Sequence, residues 1–173
     1  MGLLLRMHIK PLLLYFVLIV SCNLQQGRRI SLLNNSEMAF DKNGRVRVRI
    51  QNHVKTFVQY NTIDELSNML YHTPKGKIDS IIKNNQDWQF VFYCKCALAD
   101  SCRLMAILDR YDCCFPVIID SEDQFLISNG YSLTYSEIGM ICTENGLILG
   151  VSSIGTRQSF FDEKFERAKR SLR

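Results

Sequence analysis

The sequence predicts an α/β fold, a central mixed sheet with helices on both faces. Three observations carry that expectation. Residues 88–94, WQFVFYC, are so dense in aromatic and β-branched side chains that they suit a strand buried on both faces, as at the middle of a parallel sheet. The period then changes: Leu104, Met105, Ile107, Leu108 and Tyr111 fall at helical spacing, behind Asp100 or Ser101 as a cap. Finally, Phe115-Pro116-Val117-Ile118-Ile119-Asp120 reads as a second buried strand, and residues 138–142 and 147–151 flank Glu144-Asn145-Gly146, a strong hairpin signal.

At 173 residues and 47% hydrophobic content the chain suffices for one domain with a real core. The net charge of +4 is concentrated partly at the ends: Arg6 and Lys10, then Lys164, Arg167, Lys169, Arg170 and Arg173. Apart from Phe165 no aromatic residue interleaves with that terminal charge, so a solvated helix face is expected and no nucleic-acid partner.

Taken in order, residues 1–22 form a targeting segment, with Arg6, His8 and Lys10 before an apolar stretch, 12–20, too short to span a bilayer comfortably. Residues 23–36 read as a polar tether. Residues 37–87 then hold a hairpin and helices. Met38-Ala39-Phe40 leads through Asp41-Lys42-Asn43-Gly44 into a strictly alternating run, 45–50, with Val46, Val48 and Ile50 on one face and Arg45, Arg47 and Arg49 on the other. A half-buried edge strand protected by its arginines is the plainer account. An anion-binding or lipid-headgroup face is the alternative. Thr62-Ile63-Asp64-Glu65 has the form of a capping box opening a helix on Leu66, Met69 and Leu70, which Pro74 and Gly76 stop. Ile78, Ile81 and Ile82 suggest a second helix. His53 and His72 lack neighbours at metal-ligand spacing and read as surface or packing residues.

In the remaining stretch, 88–173, Pro116 suits the first position of its strand, where no ladder bond need be donated. Phe125, Leu126 and Ile127 offer burial for a turn or two of helix that Gly130 ends, and Ser159 is placed to cap a last helix carrying Phe160, Phe161, Phe165, Ala168 and Leu172.

Together, a strand ending in Phe-Tyr, a cysteine-bearing loop, Cys102-Arg103 opening a helix, FPVIID and the hairpin IGMICTENGLILG resemble the thioredoxin-like fold, specifically the membrane-anchored thiol-disulfide oxidoreductases of bacterial envelopes. The resemblance implies that the family's C-x-x-C falls on Ala99-Asp100-Ser101-Cys102, with Ala99 where the attacking cysteine would stand. It also implies a cis-proline facing the thiols just before the hairpin, near Tyr135-Ser136, where this chain has none. Ile19-Val20-Ser21-Cys22 resembles the bacterial lipobox, whose cysteine is lipidated and becomes the mature N-terminus; an ordinary signal peptide with a chance cysteine is the other reading. Asn23 in place of Asp implies the outer rather than the inner membrane.

The seven cysteines sort by this topology. Cys22 goes to lipid. Cys113, Cys114 and Cys142, at one end of the sheet, read as small buried hydrophobes. Cys94, Cys96 and Cys102 cluster at the other end, and of these Cys102, in a first helical turn, and Cys96, past the strand, form the candidate redox pair. Three clustered cysteines lack a fourth zinc ligand, so neither a metal nor a cofactor is implied. The expected function is a lipid-anchored envelope module, degenerate and non-catalytic, bound to the membrane through Cys22 and to another envelope protein. The alternative is a thiol-disulfide oxidoreductase using Cys96 and Cys102.

Overall fold

The computed structural model describes residues 27–33, 38–135, 137–155 and 158–172. Its strands are β1 (Ala39–Asp41), β2 (Gly44–Val46), β3 (Thr56–Thr62), β4 (Gln89–Lys95), β5 (Val117–Ile119), β6 (Glu137–Cys142) and β7 (Ile148–Val151). The helices are α1 (Ile63–His72), α2 (Lys77–Asn84), α3 (Ser101–Arg110), α4 (Gln124–Ser128) and α5 (Gln158–Ser171), with a 3-10 turn at Leu98–Asp100 before α3. All seven strands join one sheet in the order β2-β1-β5-β4-β3-β6-β7. β5, β4 and β3 run parallel, and the pairs at either side are antiparallel. The hairpin of residues 37–87 is therefore continuous with the sheet through the pairing of β1 with β5.

Strand β4 is the middle of the seven, as its composition demands. Phe92 and Cys94 face one core with Phe57, Val117, Ile119 and Ile141; Val91 and Tyr93 face the other with Val58, Tyr60, Ile118 and Met140. Helices lie on both faces, but unequally. The first core is roofed by α1, α2, α3 and α5 through residues such as Leu66, Ile78, Leu104 and Phe161. Among the described residues the second has only the short α4, through Phe125 and Leu126, and extended chain at Ile30, Tyr131, Val46, Val48 and Ile50 packs beside it.

One central strand was not legible in the sequence. β3 is buried from Thr56 to Asn61, yet Gln59 and Asn61 interrupt its apolar run, and its last residue, Thr62, is already the cap of α1, accepting from the Glu65 N–H at 3.3 Å. Because β3 lies between β4 and β6, the second buried strand of the sequence, β5, and the first strand of the hairpin, β6, are separated by two strands.

Smaller corrections follow from local chemistry. Regular pairing of the arginine-rich run ends at Val46, although alternation persists beyond it, with Arg47 and Arg49 exposed and Val48 and Ile50 half-buried. Ile127 is 53% exposed, since a five-residue helix can bury only one side. Ser159 falls inside α5, which starts at Gln158. Cys114 is exposed rather than buried.

Of the segment read as a tether, residues 27–33 dock along the β7 hairpin and over the second core. The N–H groups of Gly27 and Ile30 donate to the carbonyls of Ile148 and Gly146, and the Ile148 N–H donates to Arg28. Leu33 exchanges bonds with the Tyr93 hydroxyl, its N–H donating at 3.0 Å and its carbonyl accepting at 3.2 Å. Gly146 has φ +74°, and a Cβ there would lie 2.6 Å from the Ile30 carbonyl, so docking and turn both require glycine. Residues 1–26, hence Cys22, the lipobox and the start of the tether, lie outside the described residues, as does Ser136. Among the described residues no helix is long and apolar enough to cross a membrane.

Candidate thiol site at the carboxyl edge of the sheet

β3 and β4 end side by side, with Asn61 in register with Cys94 and Thr62 with Lys95. Cys94 is wholly buried. Cys96 lies one residue past β4 and is 8% exposed, and its side chain turns back to the same core. The two thiols are each other's strongest influence. Their mutual interaction, more than burial, separates their acidities: it lowers Cys96 below an ordinary thiol and, with burial, raises Cys94.

Cys102 sits, as the sequence indicated, in the first turn of α3, and is exposed. Asp100 occupies the cap position but makes no side-chain cap bond. The candidate pair is thus one buried and one exposed sulfur, and the residue in thiol contact with Cys96 is Cys94. An i, i+2 pair across the end of a strand was the available signal for that contact, since such residues share a face. Above the pair, Arg103 of α3 bridges to Asp64 of α1 at 2.5 Å. The Arg103 charge favours the thiolate at both Cys94 and Cys96, while Asp64 opposes it at Cys94 and Asp100 at Cys96.

Polar groups continue across the same edge. Asn61 is 1% exposed, and neither its amide nitrogen nor its oxygen has a hydrogen-bond partner. Across from it in register stands Glu137 at the start of β6. Burial raises the Glu137 carboxyl above the usual range, against hydrogen bonds from Ser153 and from Gln59 at 3.4 Å. Gln59 also accepts from the Ile154 N–H at 3.1 Å. At the far end of the sheet Cys113 and Cys142 are buried, and burial pushes both thiols up to about 12. Among the described residues no three of His, Cys, Asp and Glu group to hold a metal ion.

The sheet order also bears on where the expected C-x-x-C belongs. Since β6 pairs with β3, with Glu137 opposite Asn61, the chain entering the hairpin faces the β3–α1 junction. The residues there are Thr62-Ile63-Asp64-Glu65, which hold no cysteine. Ala99-Asp100-Ser101-Cys102 lies one strand farther away, after β4, because the strand missing from the sequence reading is the one that faces the hairpin.

No family model matches the chain, and neither does any curated protein. Solved structures do. A Chlorobium tepidum protein provisionally assigned as a thiol:disulfide interchange protein DsbE superposes with a TM-score of 0.54 at 14% identity, covering 80% of this chain and 99% of its own. A secreted Mycobacterium tuberculosis disulfide oxidoreductase homologous to E. coli DsbE gives 0.52 at 10% identity, covering 78% and 97%. StoA from Bacillus subtilis gives 0.51 at 13%, covering 68% and 89%. The chain has the thioredoxin-like fold, and its structural neighbours are thiol-disulfide oxidoreductases.

Proposed function

We propose that this protein is a lipid-anchored module of the bacterial envelope, of thioredoxin-like fold, that binds or assembles with another envelope protein and does not catalyse thioredoxin-type exchange. The observation that carries the reading is the β3–α1 junction. It faces the entry to the β6 hairpin, where the fold would gather a reactive thiol and its substrate, and it presents Thr62 as a helix cap followed by Ile63, Asp64 and Glu65. Acidic side chains in that first turn complement the helix dipole, a structural use of the position. The anchor rests on Ile19-Val20-Ser21-Cys22, and Asn23 favours the outer membrane.

A second reading, thiol-disulfide exchange by Cys96 and Cys102, is favoured by the exposure of Cys102 at the start of α3 and the lowered pKa of the Cys96 thiol. Reduction of a model disulfide by the purified protein separates the two. Under the binding reading turnover is negligible, and Cys102→Ser and Cys96→Ser match the parent. Rapid turnover lost in both variants would establish the exchange reading instead.

A further inference from the structure

We propose that Cys94 and Cys96 are an oxidisable dithiol, closed to a disulfide by peroxide, that records oxidation at the carboxyl edge of the sheet independently of Cys102. Three features of the geometry point to this pair. Both side chains lie on one face of the chain and enter the same core. In extended backbone, alternate Cα atoms are about 6.6 Å apart, inside the upper limit of roughly 6.8 Å for a disulfide. And the pairing of β4 with β3 ends at Lys95, so Cys96 can move the remaining distance without breaking a ladder bond, while Cys94 is held in register with Asn61.

The two sulfurs also have distinct roles. Cys96 is the more acidic and retains a little solvent exposure, whereas Cys94 is fully enclosed. Cys96 therefore meets the oxidant. Its thiolate attacks one oxygen of hydrogen peroxide, forming an S–O bond and breaking the O–O bond; the hydroxide released takes a proton and leaves as water. Cys94 then attacks the resulting sulfenic acid, forming the S–S bond and breaking the S–O bond. The second hydroxide leaves as water with the proton given up by Cys94. Two thiols lose two electrons in all, and one peroxide is reduced to two waters. The unpartnered amide of Asn61 beside Cys94 offers its N–H to sulfur as the proton leaves. Enclosure then shields the disulfide from bulky reductants, which the exposed Cys102 would not be.

The sequence supplies a direct readout. Trypsin cuts after Lys95 and Arg103, putting Cys94 in one peptide, 84–95, and both Cys96 and Cys102 in the next, 96–103. The full chain is treated with hydrogen peroxide, free thiols are blocked, and peptides are weighed without reduction. The proposal expects 84–95 joined to 96–103 in both the parent and Cys102→Ser, the latter excluding a Cys94–Cys102 bridge. Cys94→Ala should lose the link and instead carry dimedone on Cys96. An unlinked 96–103 peptide lighter by two hydrogens, marking a Cys96–Cys102 bridge, overturns the proposal. So does recovery of both peptides unlinked at a peroxide dose that oxidises Cys102. Should Cys94→Ala fail to fold, the parent and Cys102→Ser decide the matter alone.

Discussion

Asn61 and Cys94 stand in register on adjacent parallel strands, facing the same core, one an amide without a partner and the other a thiol whose acidity is set first by Cys96. A buried polar group left unpaired costs about 1–3 kcal/mol. Asn61→Val, which suits a strand and removes the amide, should therefore stabilise the fold by about 1 kcal/mol in urea melts. A loss of similar size would mean that the amide is bonded to ordered water.

Phe92 is 2% exposed and packs on Phe115, with ring centroids 4.3 Å apart, and on Phe57 at 6.4 Å. Phe92→Ala should cost about 3–5 kcal/mol, a large share of a small domain's stability. A cost under about 1 kcal/mol would be incompatible with a filled central core.

Glu137 gives a pH dependence whose sign is fixed by its raised pKa. The folded state holds the proton more tightly than the unfolded chain, so the contribution to stability is greatest below the ordinary carboxylate range and falls as pH rises through it to the folded value. Glu137→Gln should consequently be more stable than the parent at neutral pH, with the difference disappearing in acid. Denaturant midpoints at several pH values measure it; an advantage confined to low pH would reverse the assignment.

The proposed membrane attachment turns on Cys22. Cys22→Ser should move the protein from the membrane fraction to the soluble fraction and abolish labelling by a clickable fatty acid. A variant that stays membrane-bound and unprocessed would remove the lipid from the proposed function.

The sequence made the thick parts of this fold legible and hid one central strand, β3. Continuous apolar strands such as residues 88–94, the capping box at Thr62 and the Asn145-Gly146 turn each carry a local physical signal. β3 carries a mixed one: Gln59 is satisfied by Ile154, 95 residues away, and Asn61 is not satisfied at all, so nothing local marks either as a core position. Missing that strand left the β3–α1 junction, which faces the hairpin, out of the expected site. The Cys94–Cys96 contact was hidden for a related reason: spacing places both on one face, but only the end of the ladder at Lys95 shows which of them can turn.

Tyr93→Phe tests the docked N-terminal segment. Losing the bonds to Leu33 should cost on the order of 1 kcal/mol locally and speed hydrogen exchange of the Leu33 amide, with the core amides of β4 unaffected. Unchanged exchange at Leu33 would show that the apolar contacts of Ile30 alone hold the segment.

That docking sets a mooring distance. If Cys22 carries the lipid, only the backbone from residue 22 to residue 27 separates the bilayer from the point where Gly27 is fastened to Ile148, a span of at most about 18 Å even when drawn straight. The domain would ride against the headgroups instead of patrolling at the end of a long line. Whatever it meets must then come to the membrane surface, and the orientation of β7 toward that surface becomes a constraint on every encounter.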